Sequence, residues 1–450
     1  MATTELTPSA SEPAASVATA APVRARRPPL LRLPLELRGD STRAVVLSWL
    51  TSRALTLALL VTVESAVTGD VSYYGRSLHT LFNGGSLREV LQEYPVPVLA
   101  IMLPQYLAAM LNSLGFAVLF AVSMLAVDAT FTWSLWRVGG RKRSEAVNFW
   151  LWFVPAIGPL AYFRFDLVPA MLAGAAVLAA ARRPAWSGML TAIGAALKLW
   201  PALMLPSFLL RRRDRRSVLL GFCSTGIAIA AISLAVGGWG RLVSPLHWQF
   251  GRGLQIESVF ATPLMLVRSF HPHHVWSVDV SQYKAFEIYG PGVHLFGTLA
   301  TVASVAGLGL LGWLWHRARM LPSVSPETVG WLFLATASVV TITNKTLSPQ
   351  YILWLGGPLA ALLARWPGDP HVRRAARQLL VICVLTQLVF PLTYASLASN
   401  VTSLTVPSTL LLAARNVLLI RLTWLACSRV LHQTGQDDMP EVPAGAERVE

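Results

Sequence analysis

An aspartate, Asp70, stands directly after an apolar stretch in the segment GDVSYYGR, and a second acid, Glu93, lies further along in QEYP. A single carboxylate at a membrane surface can take the proton from an attacking hydroxyl, so this segment could supply a general base. The same placement also suits a helix-end residue solvated by headgroups. In AYFRFDLVP, Arg164 and Asp166 are two residues apart and cannot face one another on a helix. Asp166 is positioned to cap a helix starting at Leu167, which leaves Arg164 to meet an anion. Lys198 sits between Leu197 and Leu199 in an otherwise apolar stretch. At the centre of a span a lysine costs about 2.5–3.5 kcal/mol, so it must face a polar cavity or snorkel outward. A lipid phosphate is a third partner, because it carries its own negative charge to that depth. GRGLQIES gathers Arg252, Gln255, Glu257 and Ser258, donors and acceptors that match sugar hydroxyls and phosphate. NKTLSPQY adds Lys345, Ser348, Gln350 and Tyr351.

Other chemistries are not indicated. HPHH, with His271, His273 and His274, lacks the i, i+4 spacing of a helical zinc motif and has no neighbouring acid, so it reads as a polar loop. Cys223, Cys383 and Cys427 form no CxxC pair. No GxGxxG, GxxxxGK[ST] or GxSxG occurs, so no nucleotide cofactor is expected; divalent-metal dependence stays open. A site without cytosolic nucleotide needs a substrate activated in advance, and in an outer leaflet that form is a sugar on a polyprenyl phosphate.

These residues are spaced along a chain that is 54% hydrophobic and only 13% charged, far more apolar than a soluble protein of 450 residues. Apolar stretches at 44–67, 113–136, 146–163, 167–181, 186–210, 217–239, 293–315, 328–343, 348–365, 376–394 and 408–429 make eleven candidate spans. The fold class expected is an all-α polytopic membrane protein. The stretch 186–210 has arginines at both ends and KLWP in the middle, so it should rise and return as two short helices, giving twelve segments. The net charge of +15 comes from loops such as RVGGRKR (137–143), RRRDRR (211–216) and HRAR (316–319) beside the spans. Arginines there set topology and touch anionic headgroups, so nucleic acid is not the expected partner. The positive-inside rule puts those loops in the cytoplasm and the polar clusters outside. Residues 1–43 and 433–450 read as disordered cytoplasmic tails around a transmembrane domain over 44–432. Two outer loops are long: 68–111, which should carry interfacial helices, and 240–291.

Taken in order, GDVSYY with EYP, FRFDLVPAML, GAALKLWPALMLP, RGLQIES and SPQYILWL resemble the membrane glycosyltransferases of the GT-C type, specifically glycosyltransferase family 87. The resemblance extends over roughly 47–363 and rests on the order of five motifs. It implies a GT-C-like bundle in the cell membrane and no cofactor. It also implies inverting transfer of a sugar, mannose in the PimE-like members, from a polyprenyl-phosphate donor to an extracytoplasmic glycolipid or glycan hydroxyl. Asp70 matches the family's catalytic base. Lys198, Arg252 and Arg164 then fall to the donor phosphate. Glu93, Asp166, Gln255, Glu257, Lys345, Gln350 and Tyr351 fall to the substrates. Where PimE-like members carry paired histidines, this chain has Ser348, Pro349, Gln350 and Tyr351. The rival readings are a secondary transporter or lipid flippase, which would place its polar site near the midplane, and a scaffold with scattered polar residues.

Overall fold

Away from water a backbone must satisfy its own hydrogen bonds, and an apolar run of about twenty residues does so as a helix. The computed structural model describes Met1 and residues 41–138, 144–270, 275–399 and 401–436. Sixteen α-helices lie among them, and every one of the eleven apolar stretches contains one. Six helices are long and apolar enough to cross a membrane: α1 (Thr42–Val67), α4 (Phe116–Val138), α9 (Arg215–Gly251), α11 (Val293–Met320), α14 (Pro370–Gln387, continued by a π-turn) and α16 (Thr402–Gln436). Between them α5 (Ser144–Ile157), α6 (Leu167–Ala179), α12 (Pro326–Thr343) and α13 (Leu353–Arg365) build the core. Helices α12 and α13 are buried along almost their whole length. The protein is an all-α polytopic membrane protein.

Small residues set the tightest helix crossings, as they do where lipid gives no hydrophobic drive. A Cβ on Gly357 of α13 would stand 2.0 Å from the Ala170 carbonyl of α6, and one on Gly174 would stand 2.6 Å from the Gly357 carbonyl. A second crossing brings α7 (Pro184–Leu197) onto α9, where a Cβ on Gly188 or Gly221 would lie 2.1 Å from the carbonyl of Val218 or Ala185. Because residues 185–188 touch 218–221, the chain between them must rise and come back. It does so at Lys198, whose backbone is extended, followed by a 3₁₀ turn over Trp200–Met204 and the short α8 (Leu205–Phe208). The hairpin expected at KLWP is present.

The arginine loops collect at one end of the bundle. Glu145 pairs with Arg373, Arg365 donates to the Leu178 carbonyl, and Arg429 lies 3.8 Å from Glu327. The polar clusters occupy the opposite end. Between the ends, the ion pair of Arg53 in α1 with Asp128 in α4 is fully enclosed. Arg53 donates from Nε and Nη2 at 2.7 Å, and Trp49, Trp150 and Tyr162 donate to the same carboxylate at 2.9, 2.6 and 3.1 Å. An intramembrane pair usually marks a site, but this carboxylate is saturated by fixed donors, so the pair is a clamp.

The loop expected from Gly240 begins later. Helix α9 kinks at Gly238 (φ 70°, ψ 176°) and continues to Gly251. It does so because Arg241 turns inward and donates to the carbonyls of Leu87, Leu91 and Tyr94 at 3.2, 2.6 and 2.8 Å. The rest of that segment holds α10 (Thr262–Phe270) and an antiparallel hairpin, β1 (Ser277–Val280) with β2 (Phe286–Tyr289). In 68–111 the expected helices are α2 (Gly69–Phe82) and α3 (Leu99–Leu111), joined by turns. Helix α15 (Tyr394–Ala398) precedes α16. The loop residues 139–143, HPHH and nearly all of both tails lie outside the described residues, although α16 runs on to Gln436.

Replacing Arg53 by Leu strands the Asp128 charge in the bundle and should cost about 3–5 kcal/mol. The double variant R53L/D128L should recover most of the lost thermal stability, as read by unfolding in detergent. Equal midpoints for R53L and wild type would contradict the clamp.

Candidate active site

Helix α2 begins at once after α1, and this places Asp70 in its first turn, where a negative charge favours the helix N-terminus. Asp70, Tyr73 and Arg76 recur at three-residue spacing, so all three share one face. That face lines a cavity of about 620 Å³ at the end of the bundle away from the arginine loops. Glu93 and Tyr94 border it from the end of the first loop, held by the Arg241 hydrogen bonds. Arg164 enters from the turn between α5 and α6. Its guanidinium lies 2.8 Å from the Asp70 carboxylate and donates to the carbonyls of Val67 (3.0 Å) and Phe163 (2.9 Å). Arg164 is almost wholly buried, whereas the Asp70 side chain is 40% exposed. The carboxylate is therefore anchored on one side and open to the cavity on the other.

Arg252, Gln255 and Gln350 complete the wall opposite α2. Gln255 is buried; its amide nitrogen meets the carbonyls of Thr346 (3.0 Å) and Leu347 (3.3 Å), and its oxygen accepts from the Ser348 hydroxyl (3.1 Å). This ties GRGLQIES to NKTLSPQY, two motifs that are distant in sequence. Arg252 donates to the Tyr283 carbonyl at 3.3 Å. The β1–β2 tip hangs over the opening: the Lys284 ammonium sits 3.3 Å from the centre of the Tyr73 ring. Burial lowers the pKa of Lys284, partly offset by Glu93. Burial and the adjacent Glu93 carboxylate push the Tyr73 hydroxyl well above its usual range.

Seven of the residues singled out from the sequence thus line one cavity: Asp70, Glu93, Arg164, Arg252, Gln255, Ser348 and Gln350. Three others form a second layer behind it. The Lys198 ammonium binds the Asp166 carboxylate at 2.6 Å and lies 5.1, 5.2 and 5.4 Å from the rings of Phe165, Tyr351 and Trp354. Asp166 makes no capping bond to α6, contrary to expectation, because it also accepts from Trp354 at 2.9 Å. Tyr351 stacks on Trp354 with centroids 4.0 Å apart. The aromatic layer touches the cavity wall through Phe165, whose ring meets Tyr94 edge-on at 5.0 Å.

Glu257 and Lys345 stand aside. Glu257 is enclosed against Arg415 of α16, and Arg415 and Asn416 both donate to its backbone carbonyl, at 2.8 and 3.2 Å. The Lys345 ammonium donates to the Phe250 carbonyl at 3.2 Å.

Sequence reasoning passed over several lining residues. Tyr73 and Arg76 were marked by their spacing from Asp70. Tyr283 and Lys284 on the hairpin tip, and Phe390 and Tyr394 beside the π-turn, had no local signal. The arrangement offers a tethered carboxylate, further guanidinium and ammonium groups across the opening, and amides able to bind hydroxyls. That set suits proton removal beside an anionic leaving group.

No curated protein matches the chain. A family model described as glycosyltransferase family 87 matches residues 93–343, a stretch that includes Glu93, Arg164, Lys198, Arg252 and Gln255 and leaves Asp70 and Gln350 outside. That match takes in more than half of the chain, so the protein belongs to glycosyltransferase family 87 and is a glycosyltransferase.

Proposed function

We propose that the chain is an inverting, GT-C-like enzyme that moves a hexose, mannose by the family resemblance, from a polyprenyl phosphate to an acceptor hydroxyl on a glycolipid or glycan. The observation that carries this reading is the convergence of Asp70, Arg164, Arg252 and Gln255 on one cavity opposite the arginine loops. By the positive-inside rule that cavity is extracytoplasmic in the cell membrane and both termini are cytoplasmic. A lipid-linked donor is further supported by an apolar groove of about 230 Å³ between α7, α9 and Pro95–Pro97. It begins two residues beyond Glu93, and Leu199, the neighbour of Lys198, lines it. An isoprenoid chain in that groove would hold its phosphate near the cavity.

In this mechanism Asp70 takes the proton from the acceptor hydroxyl as its oxygen attacks the anomeric carbon from the face opposite the phosphate. The bond from that carbon to the phosphate oxygen breaks, and its electron pair leaves with polyprenyl phosphate. Arg252 and Arg164 at the cavity, with Lys198 behind, stabilise the charge that develops there, a role for fixed cations. Glu93, Gln255 and Gln350 are placed to bind sugar hydroxyls, and Asp166 and Tyr351 keep the Lys198 ammonium in position. Glu257 and Lys345 support the wall that carries Gln255. The packed α12 and α13 beneath the cavity favour transfer over transport, which needs access from both sides.

Incubating the purified protein with a panel of polyprenyl-phosphate sugars should consume one of them. Asp70→Asn should lower transfer by about 10²–10⁴-fold while donor lipid is still retained; full turnover by that variant would remove Asp70 from its role. Sidedness has a separate test. With Cys223 replaced by Ser, a cysteine at Ser281 should react in intact cells with a membrane-impermeant maleimide, and one at Ser323 should not. The reverse pattern would invert the topology.

A further inference from the structure

At the arginine end two cavities of about 370 and 320 Å³ adjoin, sharing Leu210, Arg215 and Arg319. One is lined mainly by Arg211, Arg212, Arg213, Arg215 and Arg319 with the turn after α11. The other runs from Arg215, His316 and Arg319 onto an apolar wall of Pro206, Leu209, Gly312 and Trp315. The Trp315 ring is fixed as part of that wall by donating to the Ser207 hydroxyl at 2.9 Å. Among the described residues no acid lines either cavity. Asp214, the nearest one along the chain, pairs with Arg211 at 3.1 Å and Arg213 at 3.5 Å, and Arg212 and Arg319 make no ion pair or hydrogen bond among the described residues.

Orientation in the membrane explains why each loop contains arginine. It does not explain why two loops separated by about a hundred residues bring their guanidiniums into one cleft with no acid among its described residues. Like charges gathered in this way repel unless an anion joins them. The cleft is also amphipathic along its length, cationic at the mouth and apolar inward. The helices that flank it, α9 and α11, carry large apolar side chains exposed on the bundle surface, among them Leu220, Leu308 and Trp313. A soluble anion would have no use for the apolar wall, whereas a phospholipid has both parts.

We infer that this cleft binds one anionic glycerophospholipid, its phosphodiester at Arg215 and Arg319 and an acyl chain along Leu209, Gly312 and Trp315. The lipid bridges the α8–α9 turn to the end of α11 and neutralises their repulsion. The site is independent of the sugar-transfer reading, since it lies at the other end of the bundle.

Full-length protein in mild detergent, stripped of lipid, can be titrated with phosphatidylglycerol, phosphatidylcholine or inorganic phosphate, with retained lipid read by native mass spectrometry and stability by thermal unfolding. Phosphatidylglycerol should be retained and raise the unfolding midpoint, and the other two should not. R215Q/R319Q should retain about tenfold less phosphatidylglycerol or lower still, while R374Q/R377Q, an equal charge loss elsewhere at the same end, should bind as wild type. Arg215 also donates to the Leu209 carbonyl; should the double variant fail to fold, R319Q alone, which removes no hydrogen bond within the described fold, gives the same reading. Equal retention by R319Q and wild type, equal loss in R374Q/R377Q, or equal stabilisation by inorganic phosphate or phosphatidylcholine would overturn the assignment.

Discussion

A guanidinium withdrawn from water needs partners for its charge and its donors, and Arg164 finds a carboxylate and two carbonyls where three parts of the fold meet. It binds the last carbonyl of α1, its own neighbour's carbonyl and the Asp70 carboxylate of α2. Without it, Asp70 would lose its ion pair and with it the direction of its carboxylate. The same solution recurs around the cavity. Arg241 holds the carbonyls of the first loop, Arg268 those of Leu397 to Ser399, and Arg415 that of Glu257. Each serves a segment where helices stop and carbonyls would otherwise lack donors. Arginine suits the task because one planar group presents five donors.

The bundle was legible in the sequence because a span announces itself over some twenty residues, a signal that neighbours cannot hide. Even the KLWP hairpin could be read, since arginines at both of its ends leave no other topology. Two classes of loop were legible as well, and their described members lie at opposite ends of the bundle. Where α9 ends was not legible. RLVSPLHWQF looks polar enough for a loop, and it stays helical only because Arg241 has buried partners some 150 residues earlier in the chain. The hairpin over Ser277–Tyr289 was missed because four-residue strands lie below the length at which alternation is distinctive.

Within the site, residue type was easier to read than partner. Asp70, Arg164 and Arg252 stood out as charges beside apolar stretches, and all three line the cavity. Lys198 stood out for the same reason, yet its nearest anion is Asp166, read as a helix cap from its position before Leu167. A carboxylate at that position can cap, but an ammonium at 2.6 Å and an indole donor compete for the same oxygen and win. Lys284 shows the converse. Nothing in SQYKAF marks it, because its importance comes from where the hairpin tip lands, on Tyr73 of a different loop.

The chain therefore uses arginine in two ways that composition alone cannot separate. At one end guanidiniums are exposed and crowded, and few of them have acids; at the other Arg164, Arg241, Arg268 and Arg415 are buried, and their partners are mostly backbone carbonyls. The second use bears on catalysis as proposed. Positions fixed by hydrogen bonds to carbonyls resist displacement more than positions fixed by packing, because losing one strands a buried donor and acceptor together. Asp70 and Gln255 are thus held before any substrate arrives, and charge developing on a leaving phosphate would meet cations that need not reorganise. The hairpin tip is held differently: its Lys284 rests on the Tyr73 ring and makes no ion pair among the described residues. In the proposed reaction the tethered carboxylate keeps its aim without any contribution from that tip.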